Sequence, residues 1–145
     1  MNRAAAFVAI LGLAFSSAAC AADCTPTVDD GWIRPGPPSM PMRAGFGTIN
    51  NSCDAAVAII GASSPAFGDV SVHESTVVDG ISRMREIPEL VVPAHGSVTL
   101  APGGYHLMLM QPSGDLAPGD RVEVEFTLRD GSTLRGELEV RQQVR

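Results

Sequence analysis

Between residues 27 and 140 the chain is written in short apolar runs separated by turn-forming residues. The runs are "TVDDGWIR", "AGFGTIN", "AAVAIIG", "DVSVHES", "ISRMREI", "ELVV", "SVTL", "YHLMLM", "RVEVEFTL" and "TLRGELEV". No stretch sustains the 3.6-residue period of an amphipathic helix. The clearest runs follow the period of two that sends successive side chains to opposite faces of a strand. Many short strands with close turn signals predict a single all-β domain, an antiparallel sandwich or barrel. The 15 glycines and 11 prolines that punctuate the chain agree with this.

Two hairpins can be given a register. In residues 121–140, Val122, Val124, Phe126 and Leu128 alternate with polar neighbours, and Leu134, Leu138 and Val140 share one face of the next strand. Placing Leu128 opposite Leu134 requires the three-residue loop Asp130-Gly131-Ser132, whereas a two-residue Asp-Gly loop puts Leu134 on the wrong face. In residues 70–88, Asp79-Gly80 is a strong two-residue turn signal. Pairing around it sets Val78 opposite Ile81, Val72 opposite Ile87, Glu74 opposite Arg85, Ser75 opposite Met84 and Glu86 opposite His73. His73 and Met84 then become diagonal neighbours on one face.

The first residues lie outside this pattern. Arg3, the apolar "AAAFVAILGLAF" and the small residues of "SSAACAAD" predict a secretory signal over residues 1–22, too short to span a membrane. Cys20 as a lipidated residue is the weaker reading, because Ser17 stands where a large aliphatic residue is expected. The mature domain is then 23–145, exported to the periplasm, with no membrane insertion. Loss of Arg3 takes the net charge from −6 to −7, and every basic residue is an arginine. An acidic, dispersed surface argues against nucleic acid and anionic membrane as partners. Once Cys20 is removed, Cys24 and Cys53 remain as a pair in an oxidising compartment, and a disulfide is expected between them in preference to two free thiols.

The chemistry lies in "YHLMLM". Alternation places His106, Met108 and Met110 on one face and Tyr105, Leu107 and Leu109 on the other. Two His–Met pairs therefore exist, His73 with Met84 and His106 with Met108. Thioether sulfur is a soft donor that favours Cu(I), and imidazole binds copper in either oxidation state. Zinc, calcium and magnesium are poorly served by such a set.

The spacing of the four residues is H-x10-M-x21-H-x-M. It resembles the pattern of the PCu(A)C-type periplasmic copper chaperones. "VDDGWIRPGPP", "PMRAGFGTINN", "SSPAFGDVSVHES", "RMREI", "LAPGGYHLMLM" and "LAPGDRVEVEFTLRDG" are similar to that family in the same order, across about residues 26–140. The resemblance implies a cupredoxin-like Greek-key β-sandwich or barrel. It implies Cu(I) bound by His73, Met84, His106 and Met108, and delivery to a copper centre of cytochrome oxidase, of the CuA type. Partners would be copper-donating or copper-accepting periplasmic proteins, and a monomer is expected. The chain stops at Arg145 without the His/Met-rich tail of some members, so any Cu(II) would bind elsewhere.

Other residues have ordinary readings beside functional ones. Met40 and Met42 are either a flap that assists copper capture or plain loop packing, the latter preferred. Met110 is assigned to the core or to support of the site, His95 to an exposed turn, and Trp32 and Tyr105 to core or rim. Glu74 and Glu86 could orient histidines, although Arg85 better explains Glu74. No paired-carboxylate, Cys–His or phosphate-loop motif supports an enzyme. The alternatives are an electron-transfer cupredoxin, whose copper needs a Cys thiolate, and a metal-free β-sandwich interaction module.

Overall fold

A computed structural model describes residues 24–142, and the expected leader, with Cys20, lies outside them. The described residues form ten strands: β1 Thr27–Arg34, β2 Met42–Asn51, β3 Val57–Ser63, β4 Phe67–Val78, β5 Ile81–Glu86, β6 Leu90–Val92, β7 Gly96–Leu100, β8 Tyr105–Pro112, β9 Arg121–Leu128 and β10 Thr133–Val140. Each of the ten apolar runs overlaps one strand. No helix among the described residues is long and apolar enough to cross a membrane.

The strands follow the order β5-β4-β8-β2-β1-β10-β9-β3-β6, and a further β3–β4 pairing at Ala62 and Val70 closes β4-β8-β2-β1-β10-β9-β3 into a seven-strand barrel. β7 pairs with the far half of β2, so β2 is bordered by β8 near its start and by β7 near its end. Most neighbours are non-consecutive in sequence, as a Greek-key path requires. One pairing departs from the antiparallel expectation: β1 and β10 run parallel. These strands are far apart in the chain, so no tight turn forces them to be antiparallel.

The barrel interior is apolar. Ile33, Ile49, Ile59, Leu107, Leu109, Val124, Phe126 and Leu138 are all at most 1 % exposed within one cluster. This is the inward half of the alternation in each strand. Burial at roughly 25 cal/mol per Å² of apolar surface makes this cluster the main source of stability.

Both hairpins formed, one with a corrected register. Around Asp79-Gly80 every assigned pair is found from Val78–Ile81 to His73–Glu86, and the Ile87 N–H donates to the Val72 carbonyl at 2.9 Å. Both turn residues have positive φ, 53° and 75°, which is the backbone of the type I′ turn. In the β9–β10 hairpin Leu134 lies opposite Phe126, not Leu128. The loop still has three residues but is Arg129-Asp130-Gly131, closed by a Leu128 N–H to Ser132 carbonyl bond of 2.9 Å. A three-residue loop wants its left-handed residue last, and Gly131, at φ 87°, takes that place. The shift is by one whole pair, so the buried faces are unchanged.

Cys24 and Cys53 are joined by a disulfide, as expected. The bridge ties the residues before β1 to those after β2, at the end where Thr27 pairs with Asn50. Beside it the buried Asn51 amide donates to the carbonyls of Ala55, Val92 and Pro93 and its oxygen accepts the Cys53 N–H.

Candidate metal centre

β8 has two different faces. Leu107 and Leu109 enter the barrel core, while His106 and Met108 point outward and yet are only 6 % and 8 % exposed. A second cluster on the outside of the barrel covers them. Its members come from the register: His73 of β4 lies opposite His106, and Ser71 opposite Met108. On the other side of β8, Ala44 of β2 lies opposite Met108 and Met42 opposite Met110. Trp32 of β1 is opposite Phe46 of β2. An aromatic row therefore crosses four strands, with ring centres 4.4 Å apart from Trp32 to Phe46, 6.4 Å from Phe46 to His106 and 6.0 Å from His106 to His73.

Met84 joins from β5. Its partner in the ladder is Ser75 on β4, a small residue, so the long thioether side chain can lean across β4 toward β8. Its sulfur lies 3.0 Å from Nε2 of His106. The other ring nitrogen, Nδ1, is 3.0 Å from the Gly104 carbonyl oxygen, which can only accept, so Nδ1 carries the proton. Nε2 is then bare. An unshared pair on nitrogen and one on sulfur meet with no hydrogen between them, an arrangement that suits two donors converging on a cation.

His73 is also prepared. Its Nε2 is 3.0 Å from the Ser71 hydroxyl, and its Nδ1 is buried with no hydrogen-bond partner. Leaving a buried polar atom unpaired costs stability unless a ligand satisfies it. Burial is the largest influence on this imidazole and lowers its pKa below the ordinary 6.5; Glu86 opposes this and His106 reinforces it. The lowered pKa favours the neutral ring, which keeps one bare nitrogen able to donate its lone pair.

The four residues of the spacing pattern thus come together on one outer face. Among the described residues no three or more His, Cys, Asp or Glu side chains converge in a way that could hold a metal ion. The donors gathered here are imidazoles and thioethers, a soft set. Met84, half exposed at 50 %, is the member open to solvent.

The remaining candidates fall as follows. Met42 is the first residue of β2, not part of a loop, and Met110 stands beside it on the site face. Met40 is exposed in a turn closed by its N–H to the Pro37 carbonyl. Glu74 pairs with Arg85 at 2.8 Å, as the hairpin register implies, and Glu86 is exposed beside His73. His95 is an exposed turn residue 2.8 Å from Asp54. The cysteines are at the other end of β2. Sequence reasoning missed Ser71, the Gly104 carbonyl and Phe46. Ser71 was within reach, because it lies two residues before His73 and so shares its face.

This fold belongs to a recognised class. The LpqE-like lipoprotein family matches residues 26–140, and the chain belongs to that family, which is of the PCuAC type with a cupredoxin-like β fold. The copper-bound PCuAC domain from PmoF2 superposes with a TM-score of 0.66 over 81 % of this chain and 93 % of that one, at 20 % identity. The CuI-DR1885 structure from Deinococcus radiodurans gives 0.64 over 88 % and 85 %, at 28 % identity. Lxx21020 of Leifsonia xyli subsp. xyli, which carries a lipoprotein name, is 34 % identical over 93 residues, 63 % of this chain and 56 % of its own length. The chain spans about half the length of the curated relatives it matches.

Proposed function

We propose that this protein is an exported Cu(I) carrier that holds the ion with His73, Met84, His106 and Met108 and passes it on by ligand exchange. The single observation that carries the reading is the 3.0 Å approach of Met84 Sδ to the unprotonated Nε2 of His106. With the imidazole proton on Nδ1, a soft cation shared by nitrogen and sulfur satisfies both lone pairs. The copper-bound relatives support the identity of the ion, and the Cu(I) form of the Deinococcus protein supports its oxidation state.

The arrangement suits a carrier. Two donors are fixed in the buried part of the cluster, and Met84 is at the surface on a two-stranded extension of the barrel. An acceptor can replace an exposed thioether first, without unfolding the protein. Thioethers carry no proton, so release needs no protonation of sulfur. Delivery to a CuA-type centre of cytochrome oxidase, in the periplasm, is the destination we infer from the family, with no enzymatic step and a monomer as the working unit. An electron-transfer role is disfavoured by the disulfide, which leaves neither described cysteine free to supply a thiolate.

Native mass spectrometry of the protein with Cu(I) under anaerobic reducing conditions tests this reading. One bound ion is expected, with X-ray absorption showing a mixed nitrogen and sulfur shell. A protein that takes up no Cu(I), or an intensely blue Cu(II) form, would overturn it.

A further inference from the structure

Two thioethers outside the four-residue pattern, Met40 and Met42, lie next to the site. Met40, Met42 and Met108 line one cleft of about 190 Å³ together with Arg34, Pro35, Gly36, Arg43 and Ala44. Met42 and Met110 face each other directly across β2 and β8, and Met108 is diagonal to Met42 on the same face. Met108 is therefore common to both groups.

The turn that carries Met40 is not left loose. Arg43, only 9 % exposed, starts from the opposite side of β2 and turns its guanidinium back under the loop, where it also lines the cleft. Nη1 donates to the carbonyls of Met40 at 2.7 Å and Met42 at 2.8 Å, and Nη2 donates to the Pro37 carbonyl at 3.2 Å. Three bonds from one buried cation fix the backbone on both sides of Pro41. Charge-assisted bonds of this kind are stronger than neutral ones. A methionine half exposed at 46 % is thus held at the mouth of a cleft whose floor is a residue of the main site. Plain loop packing does not need so firm an anchor beneath an exposed thioether.

We propose that Met40, Met42 and Met108 form a second, all-thioether Cu(I) station, where the ion enters before it moves to the histidines. The inference rests on the carrier reading above and adds an entry route to it. The transfer is a ligand exchange at constant oxidation state. Bonds from copper to the Met40 and Met42 sulfurs break, bonds to the imidazole nitrogens of His73 and His106 and to the Met84 sulfur form, and Met108 stays bound throughout. No electron or proton moves, because thioethers and neutral imidazole nitrogens donate without losing one. Soft, uncharged donors at the entry also select Cu(I) over harder cations.

The test removes three of the four donors of the main site and keeps Met108. The H73A/H106A/M84L variant is mixed with Cu(I) and examined by native mass spectrometry and X-ray absorption. One ion with an all-sulfur shell is expected, held more weakly than in the wild type. Adding M40L and M42L is expected to abolish that binding. Wild type that binds Cu(I) beside a triple variant that does not, or a triple variant unaffected by M40L/M42L, overturns the second station. Wild type that binds none sinks the carrier reading instead. If circular dichroism shows the triple variant unfolded, the decision passes to stopped-flow capture of Cu(I) from bicinchoninate by M40L/M42L in the wild-type background. Capture at least tenfold slower is expected, and an unchanged rate overturns the proposal.

Discussion

The sulfur of Met84 lies 3.0 Å from Nε2 of His106, although β4 separates their strands. Two donors reach this distance because Ser75 is small and because the Gly104 carbonyl holds the imidazole proton on the far nitrogen. Replacing Met84 by leucine keeps the size and removes the donor. Cu(I) affinity, read by chelator competition, is expected to fall at least tenfold, about 1.4 kcal/mol. Urea unfolding of the metal-free protein is expected to change little, since the side chain is half exposed. His106→Ala and Met108→Leu are expected to weaken binding at least as much. Unchanged affinity in all three variants would eliminate this donor set.

The lowered pKa of His73 has a definite sign in stability. In the unfolded chain the ring titrates near 6.5. In the folded protein it takes up its proton only at lower pH, so below 6.5 the unfolded state binds more protons and stability falls with pH. The loss begins as pH drops through about 6.5 and levels off below the folded-state value. The slope of unfolding free energy between about pH 7 and pH 5 is expected to be shallower in His73→Gln than in wild type. For the same reason Cu(I) should stay bound at His73 somewhat below pH 6.5, and a steep loss of affinity above that pH would contradict the assignment.

Trp32 offers a built-in reporter. It is the single tryptophan of the chain, and its ring packs on Phe46, which in turn neighbours His106. Filling the site is expected to alter its emission in a saturable way, with an end point at one equivalent. A Phe46→Leu variant should bind copper with a smaller change. Emission that is flat through a titration in which mass spectrometry records binding would show that the aromatic row does not sense the site.

The disulfide should matter for stability and not for copper. It closes a loop with a sequence separation of 29 residues, worth roughly 3–4 kcal/mol on the chain-entropy estimate. It also sits at the end of β2 away from Met42 and Ala44. A Cys24→Ser/Cys53→Ser variant is expected to unfold at markedly lower urea concentration while binding one Cu(I) with near wild-type affinity. Loss of binding in a variant that remains folded would place the bridge in the site after all.

Much of this molecule could be read from local chemistry. Alternation with a period of two determined which residues of β8 share a face, because strand geometry permits nothing else. The Asp79-Gly80 turn determined the β4–β5 register, because few residues other than Gly, Asn and Asp accept positive φ at both positions. The β9–β10 loop was placed one pair too far along, since only the position of the left-handed residue in the folded turn separates the two choices. What tertiary structure alone decided is which strands border β8. With β4 on one side, His73 faces His106; with β2 on the other, Met42 and Met108 come to share a cleft with Met40. That order is set by how the half-apolar strands of the barrel close around one core, a non-local balance of burial that no short stretch of sequence encodes.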